Sequence, residues 1–340
     1  MAAILFDLGG TYLRCAVEFE CASVSADSLT HRQKLKIPNF LTSASHDAVW
    51  EGLLGLVANY TASVSGVVGP QDPIILGFPG PIGPGSKILA APTVAGKTAT
   101  IPDFGGMIRE RTGRPVHLLN DISAAAWRAS TLTSANRFII VTISSGIGSK
   151  VFDRTSSSGV LDDLPFAGEL GHIVVDPSPT APICDCGVQG HLGAISSGRG
   201  IERAGRQKAQ QDAASFSASL AFTRFGATAG TLNNEEHLVP AAVAGDHWAL
   251  GVIAGCTEPL GLCLATVVAA MGLEQIAVIG GFAQSLGRVY RQVLEASLRR
   301  HELFPGFPNF GDGFIQLHPP KDEVCLMGAA TYAHHRLGLP

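Results

Sequence analysis

Two stretches of this 340-residue chain share one design: a short apolar run, a glycine-rich turn and a second apolar run. The first is Ile4-Leu5-Phe6-Asp7-Leu8-Gly9-Gly10-Thr11-Tyr12-Leu13-Arg14-Cys15-Ala16-Val17. The second is Phe138-Ile139-Ile140-Val141-Thr142-Ile143-Ser144-Ser145-Gly146-Ile147-Gly148-Ser149-Lys150-Val151-Phe152. Each reads as strand, tight turn, strand. Gly9-Gly10 permits positive φ, and successive backbone N–H groups there can form a nest for phosphate. Asp7 precedes the turn, where it can help hold a hydrated Mg²⁺, and Thr11 and Arg14 add donors. The plainer alternative is an ordinary hairpin with a polar turn. The recurrence implies a duplicated α/β fold whose halves grip one nucleotide. Gln275 to Ile279 runs into Gly280-Gly281, a third nucleotide-facing turn.

The length allows two domains, each with its own core. With 46% hydrophobic and 15% charged residues, 40 Gly and 20 Pro, the chain has a loop-rich α/β profile with small-residue packing. A net charge of −4 offers no basic field for nucleic acid. Seven cysteines, an odd number without regular spacing, suit a reducing compartment. Ala2 to Leu8 lacks a charged n-region and a cleavage site, so it reads as a buried strand and the protein as cytoplasmic. The longest apolar stretch, Trp248 to Leu273, carries Glu258 and Pro259 near its middle. A membrane span there would bury a charge, so the stretch reads as helices packed inside the protein, with no membrane as partner.

Residues 18–45 are polar and irregular, a long hairpin tip or an insertion. From Asp47 to Tyr60, Val49, Trp50, Leu53, Leu54 and Val57 form a helical core stripe. Pro73 to Gly77 reads as a buried strand, followed by Phe78-Pro79-Gly80-Pro81-Ile82, a rigid turn able to approach a ligand closely. The Gly/Pro-rich loop onward to Gly106 is long enough to suggest function or disorder. Val116 to Asp121 is a strand ending in two polar side chains, Asn120 and Asp121, before a helix over Ile122 to Ala129. Asp121 is open to two readings, a helix N-cap or a general base, since α/β folds put their chemistry at the carboxyl ends of strands. Residues 200–247 elaborate the second domain. Val289 to Arg300 is an amphipathic helix, and Val324 opens a final Ala-rich helix in which Gly328 permits close packing.

The stretch from Ala167 to His191 brings together the carboxylate of Glu169, the imidazoles of His172 and His191 and the thiols of Cys184 and Cys186. His172, Cys184, Cys186 and His191 form a four-ligand N/S set of the kind zinc favours, and a closed protein set is the structural type. The alternative is two free cysteines on a loop.

With these features placed, the chain from Asp7 to Gly328 resembles the ROK (repressor, open reading frame, kinase) sugar kinases of the actin-like, hexokinase-type ATPase superfamily. The most specific element is Ala-Gly-Glu-Leu-Gly-His followed by Cys-x-Cys-Gly-x-x-Gly. The resemblance implies an α/β, two-domain actin-like ATPase (ribonuclease H-like) fold with a cleft between the domains. Residues 1–121, completed by a C-terminal helix over about 322–340, would form the first domain, and residues 122–321 a larger one with the zinc-binding loop. The implied activity is transfer of the γ-phosphate of ATP to the primary hydroxyl of glucose or a glucose-like substrate, with Asp121 as general base. Asp7, Gly9, Gly10, Thr11 and Arg14 look like the family's first phosphate loop. Ser145, Gly146 and Gly148 look like the second, with Ser145 where Thr is more usual, and Gly280 and Gly281 are similar to the adenosine-side turn. Gly80 and Pro81 would lie against the sugar, and Asn120, Glu169 and His172 would bind hydroxyls, His172 using its other nitrogen on zinc. The implied cofactors are ATP, Mg²⁺ and structural Zn²⁺, and the implied assembly is a homo-dimer or homo-tetramer.

Two departures bear on the substrate. The family's third zinc Cys is His191 here, which keeps four ligands. The family Glu two residues further on is Gly193, which removes both acceptors and leaves space. A site without that bidentate acceptor discriminates less for a substrate bearing those hydroxyls. An amino sugar or a C7 cyclitol of the valiolone type therefore joins glucose as an expected acceptor. A repressor of the same family would need a winged-helix domain ahead of Asp7 and fits poorly with the acidic charge. A non-catalytic sugar-binding relative is opposed by the intact Asp121 and phosphate loops. A zinc hydrolase is opposed by four protein ligands filling the metal's positions. No extra basic tract points to polyphosphate as donor.

Overall fold

Ala3–Leu8 (β1) is buried at every position and passes through Gly9-Gly10-Thr11 into Tyr12–Glu18 (β2), pairing antiparallel with Asp7 opposite Arg14. A strand without polar alternation is one covered on both faces. The computed structural model describes residues 2–19, 28–96, 100–162, 164, 166–302, 310, 313–318 and 323–339. After the hairpin come β3 (Thr30–Lys36), α1 (His46–Ser63), β4 (Ile74–Phe78), β5 (Ile82–Gly83), β6 (Lys87–Ile88), α2 (Phe104–Thr112), β7 (Val116–Asn120) and α3 (Asp121–Ser130). Next are β8 (Arg137–Ile143), β9 (Ile147–Asp153), α4 (Leu192–Ser196), α5 (Gly198–Gln211), α6 (Ala213–Ser217), α7 (Leu220–Thr223) and α8 (Val239–Val243). The chain ends with α9 (His247–Met271), β10 (Gln275–Ile279), α10 (Gly281–Leu286), α11 (Arg288–Arg300), β11 (Ile315–Leu317) and α12 (Val324–Leu337).

The chain forms two compact units: Met1–Ser134 with Phe152–Ala167 and Asp322–Pro340, and Ala135–Val151 with Gly168–Lys321. The first is built on a sheet of order β3-β2-β1-β4-β7, in which β1, β4 and β7 run parallel. The two-residue period of β1 sorts its side chains onto two cores. Ile4, Phe6 and Leu8 pack with Trp50 and Leu53 of α1 and Phe104 of α2. Ala3 and Leu5 pack with Met327 and Ala330 of α12. The first unit holds α3 and residues 152–167, both expected in the second domain, besides 1–121 and the C-terminal helix. For α3 the physical reason is its contact with α12: a Cβ on Gly328 would stand 1.7 Å from the Ala124 carbonyl oxygen, so the two backbones touch.

The second unit's sheet has the order β11-β10-β8-β9, with β8, β10 and β11 parallel. Its arrangement repeats the first: β9-β8-β10-β11 corresponds to β2-β1-β4-β7, a hairpin followed by two parallel strands. That is the duplication expected from the two glycine-turn motifs. Most of the Trp248–Leu273 stretch lies in one 25-residue helix, α9, that continues through Pro259 and is capped by Gly272. Among the described residues it is the one helix long and apolar enough to cross a membrane, and 56% of its most apolar window is buried in the protein.

The expected irregular stretch 18–45 contains β3, which the residue pattern does not reveal. Its Thr30–Lys36 sequence is polar and exposed along most of its length, as edge strands are, and carries no apolar alternation. Residues 20–27 of that stretch, 97–99 of the Gly/Pro-rich loop and residue 322 of the C-terminal segment lie outside the described residues.

Candidate active site

In the first unit, β1 delivers Asp7 to the edge of the turn, and Arg14 on β2 faces it with Nη1 2.9 Å from Oδ2. Burial pushes the Asp7 carboxyl up from its ordinary 3.8, and the Arg14 guanidinium pulls it back. The turn's carbonyls are held by the protein's own donors. Tyr12 O accepts from Gly9 N at 2.9 Å and Thr11 O from Ile37 N at 3.1 Å. Gly10 O accepts from Asn39 Nδ2 at 3.4 Å. Neither Gly9 nor Gly10 takes the positive φ that the dipeptide permits. What position 10 requires is room, because a Cβ there would lie 2.9 Å from Thr93 Cγ2.

β7 ends on Asn120, and this residue, rather than Asp121, is the N-cap of α3. Asn120 Oδ1 accepts from Ile122 N at 3.0 Å and Ser123 N at 3.1 Å, while Nδ2 donates to the Gly80 carbonyl at 2.9 Å. Asn120 thereby links the Gly80-Pro81 turn to the start of α3. Gly80 is itself fixed against Ala90, whose carbonyl oxygen would stand 2.3 Å from a Cβ. Asp121 opens α3, half-buried, with Oδ1 accepting from Ile122 N at 2.9 Å. Cys325 Sγ, on α12, donates to the Asp121 carbonyl at 3.4 Å.

In the second unit, three elements meet at the end of β8. The Ser144-Ser145-Gly146 turn closes through Ser144 N to Gly146 O at 3.0 Å. Gly280 has φ +103°, and a Cβ there would lie 2.5 Å from the Ile143 carbonyl oxygen. The start of α5 adds Gly198 N on Ser144 O at 2.8 Å and Arg199 Nε on Ser145 O at 2.7 Å. A Cβ on Gly146 would meet nothing within 4 Å, so this turn presents open backbone.

The Ala167-Gly168-Glu169-Leu170-Gly171-His172 stretch lies directly on β9. A Cβ on Gly168 would stand 2.2 Å from Ser149 O, and one on Gly171 2.2 Å from Ile147 O. Both glycines are there so that backbone can lie on backbone. Between them, Glu169 Oε1 stands 4.0 Å from Nζ of Lys150, whose side chain is 5% exposed. Lys150 was not singled out among the candidate residues, although a charge within the apolar Val141 to Phe152 pattern was a usable signal. Arg199 had none: its role depends on contacts that no local pattern encodes.

His172, Cys184, Cys186 and His191 bring their ligand atoms within 4.8 Å of one another. The two Nδ1 atoms are 3.3 Å apart, Cys186 Sγ is 3.2 Å from His191 Nδ1, and Cys184 Sγ is 4.0 Å from His172 Nδ1. Tetrahedral zinc, with bonds of about 2.0–2.3 Å, separates its ligand atoms by roughly 3.3–3.8 Å, so this donor set fits. His172 turns Nδ1 to the cluster, which leaves Nε2 for another partner. Burial, and then His172, lowers the His191 pKa from 6.5, keeping a neutral imidazole available. Burial raises the Cys184 thiol above 9.0, opposed by the hydrogen bond from the Cys186 backbone, so a cation is what would hold it as thiolate. The loop's shape is set by Gly187 at φ +94°, whose N–H donates to Cys184 O at 2.8 Å. At Gly193 a Cβ would stand 3.0 Å from Gly171 O, a tight contact that needs a few tenths of an ångström of give. A side chain there presses on the backbone that carries His172.

A family model described as ROK family matches residues 3–336. The chain is similar to the C(7)-cyclitol 7-kinase of Streptomyces hygroscopicus subsp. jinggangensis, 35% identical over 272 residues, covering 80% of this chain and 76% of that one. It is similar to the 2-epi-5-epi-valiolone 7-kinase of Actinoplanes sp., 31% identical over 237 residues, covering 66% of this chain and 65% of that one. Among solved structures it resembles a ROK hexokinase from Thermus thermophilus, with TM-score 0.70, 26% identity and 99% of each chain covered.

Proposed function

The chain belongs to the ROK family, and from that premise we propose that it is an ATP-dependent kinase that phosphorylates the primary hydroxyl of a sugar or a sugar-like C7 cyclitol. The observation that carries the acceptor class is the 35% identity, over 80% of this chain, to a C(7)-cyclitol 7-kinase. Glucose and amino sugars remain in the same class of acceptor. The reading includes a small-molecule substrate, no nucleic acid or membrane partner, a homo-dimer or homo-tetramer, and a cytoplasmic setting.

Phosphoryl transfer asks for positioning and charge stabilisation more than for covalent chemistry. In the first unit, Asp121 is the general base that accepts the proton of the attacking hydroxyl, a contribution typically worth about 10²–10⁴-fold. Asn120 caps α3 and holds Gly80, so its role is to fix the direction of Asp121 and of the Gly80-Pro81 turn. Gly9, Gly10 and Thr11 form the first phosphate loop, in which the Gly9 amide closes the turn on Tyr12 O and the amides of Gly10 and Thr11 face phosphate. Asp7 and Arg14 adjoin them, and Asp7 would hold a hydrated Mg²⁺, which would supply charge neutralisation on the phosphate oxygens. In the second unit, Ser145, Gly146 and Gly148 bind phosphate, Gly280 and Gly281 accept the adenosine, and Glu169 and the Nε2 of His172 bind acceptor hydroxyls.

His172, Cys184, Cys186 and His191 are the residues that would hold zinc, which supplies a structural clamp and no reacting group. The chain's own contribution is the support of Glu169 and His172 on β9 through Gly168 and Gly171. The test is a coupled ADP-release assay across glucose, mannose, fructose, glucosamine, kanosamine, N-acetylated amino sugars and valiolone-type cyclitols. The expected result is the highest kcat/KM on a cyclitol or an amino sugar. A highest kcat/KM on glucose narrows the function to a glucokinase, and no ADP release on any member rejects the proposal.

A further inference from the structure

Arg199 joins two segments, the Ser145 turn and the loop between Cys184 and Cys186. Its Nε donates to Ser145 O at 2.7 Å, and its Nη2 stands 2.6 Å from Oδ2 of Asp185. Asp185 is the residue between Cys184 and Cys186. The pair is exposed, 64% for the Arg199 side chain and 69% for Asp185, and exposed ion pairs of this kind add little to stability. A guanidinium is nevertheless a planar fork with fixed donor directions, and here two of its donors are committed to two different loops.

The chemistry of a phosphate loop says what that does. Such a loop binds by presenting N–H groups to the anion, so its carbonyls must be turned away, where they do not repel the phosphate. Around the Ser144 to Gly146 turn, Ser144 O is held by Gly198 N at 2.8 Å and Ser145 O by Arg199. Asp185 sets the plane of that guanidinium from its other edge, and the order of Asp185 follows that of the thiols on either side of it.

We propose that Arg199 is a positioning residue that couples the Cys184–Cys186 metal loop to the Ser145 phosphate loop, so that metal occupancy tunes nucleotide affinity. The inference rests on the reading of Ser145 to Gly148 as a nucleotide loop and of the Cys/His set as a zinc site. The two sites need no shared ligand, because binding at one biases the conformation that the other requires.

The experiment is calorimetric titration of the full chain with Mg·AMPPNP, with zinc content and thermal midpoint measured for each sample. Stripping zinc from the wild type weakens AMPPNP binding about five- to tenfold, the lower end of the range for coupled sites. Asp185→Asn, with zinc retained, weakens it by a similar factor, which keeps the test valid if the stripped protein unfolds. Arg199→Gln starts from the weakened affinity and loses its response to zinc removal, a readout that a merely structural arginine does not move. Arg199→Gln binding AMPPNP as tightly as wild type, or responding fully to zinc removal, overturns the proposal. Gly146→Val separates the two failures. If it abolishes AMPPNP binding while Arg199→Gln has no effect, the tether alone is rejected; if it too has no effect, the nucleotide-loop reading is rejected with it.

Discussion

At the scale of single residues, the loop that carries the second unit's Cys/His cluster is governed by where glycine makes room. Gly171 stands where a Cβ would be 2.2 Å from Ile147 O, and that carbonyl belongs to β9 and cannot rotate aside. Gly171→Ala is expected to lower stability by about 1–3 kcal/mol, the usual range for overpacking, and to reduce zinc content because His172 follows directly. Thermal unfolding with metal analysis reads both effects. Cys184→Ser removes a thiolate from the set that would clamp the loop, so the expected result is metal loss and a large rise in the KM for the acceptor. Full metal retention with unchanged KM would contradict the ligand assignment. Because both thiols must deprotonate and both imidazoles stay neutral to bind a metal, zinc retention is expected to fall as the pH is lowered. The depressed pKa of His191 places its share of that loss below 6.5.

At the scale of elements, two helix contacts carry testable weight. α12 approaches α3 so closely that Gly328 has only 1.7 Å to the Ala124 carbonyl oxygen for a Cβ. Gly328→Ala must push α12 off α3, with an expected loss of about 2–3 kcal/mol. The same shift moves Cys325 from the Asp121 carbonyl, so kcat should fall along with the thermal midpoint. On α9, Glu258 is bound by Arg300, Ser297 and His301. The Arg300 hydrogen bond, foremost, lowers the Glu258 carboxyl from 4.5 to about 2. A depressed carboxylate stabilises the fold above its unfolded value of 4.5, and that stabilisation is lost as the pH falls through about 2. The network is exposed enough for solvent to screen it to about 1 kcal/mol or less. Glu258→Gln is therefore expected to be slightly less stable at neutral pH and equal to wild type near pH 2, as read by denaturant midpoints against pH.

At the scale of the whole molecule, the elements that were legible are those whose hydrophobic period is local. The β1–β2 and β8–β9 hairpins, the α1 stripe and the Gly280 turn all declare themselves within a dozen residues. β3 did not, because its polar edge sequence has no apolar face to count. Asn120 and Asp121 were recognised as polar ends of β7, yet which of them caps α3 is decided by the Asn120 bond to Gly80, 40 positions away. Gly168 and Gly171 make room for β9, and which strand they must clear is set by the tertiary packing alone. Arg199 and its bridge to Asp185 and Ser145 belong to no motif at all.

The central claim is that this chain transfers phosphate from ATP to a sugar-like alcohol with Asp121 as the base. The measurement that tests it most directly is coupled ADP release on the best acceptor of the panel, run beside calorimetric acceptor binding, for wild type and Asp121→Asn. The account predicts acceptor-dependent ADP release by the wild type, and a variant that still binds the acceptor but turns over about 10²–10⁴-fold more slowly. Turnover near the wild-type rate in Asp121→Asn, or ADP release by the wild type that does not depend on the acceptor, would contradict it.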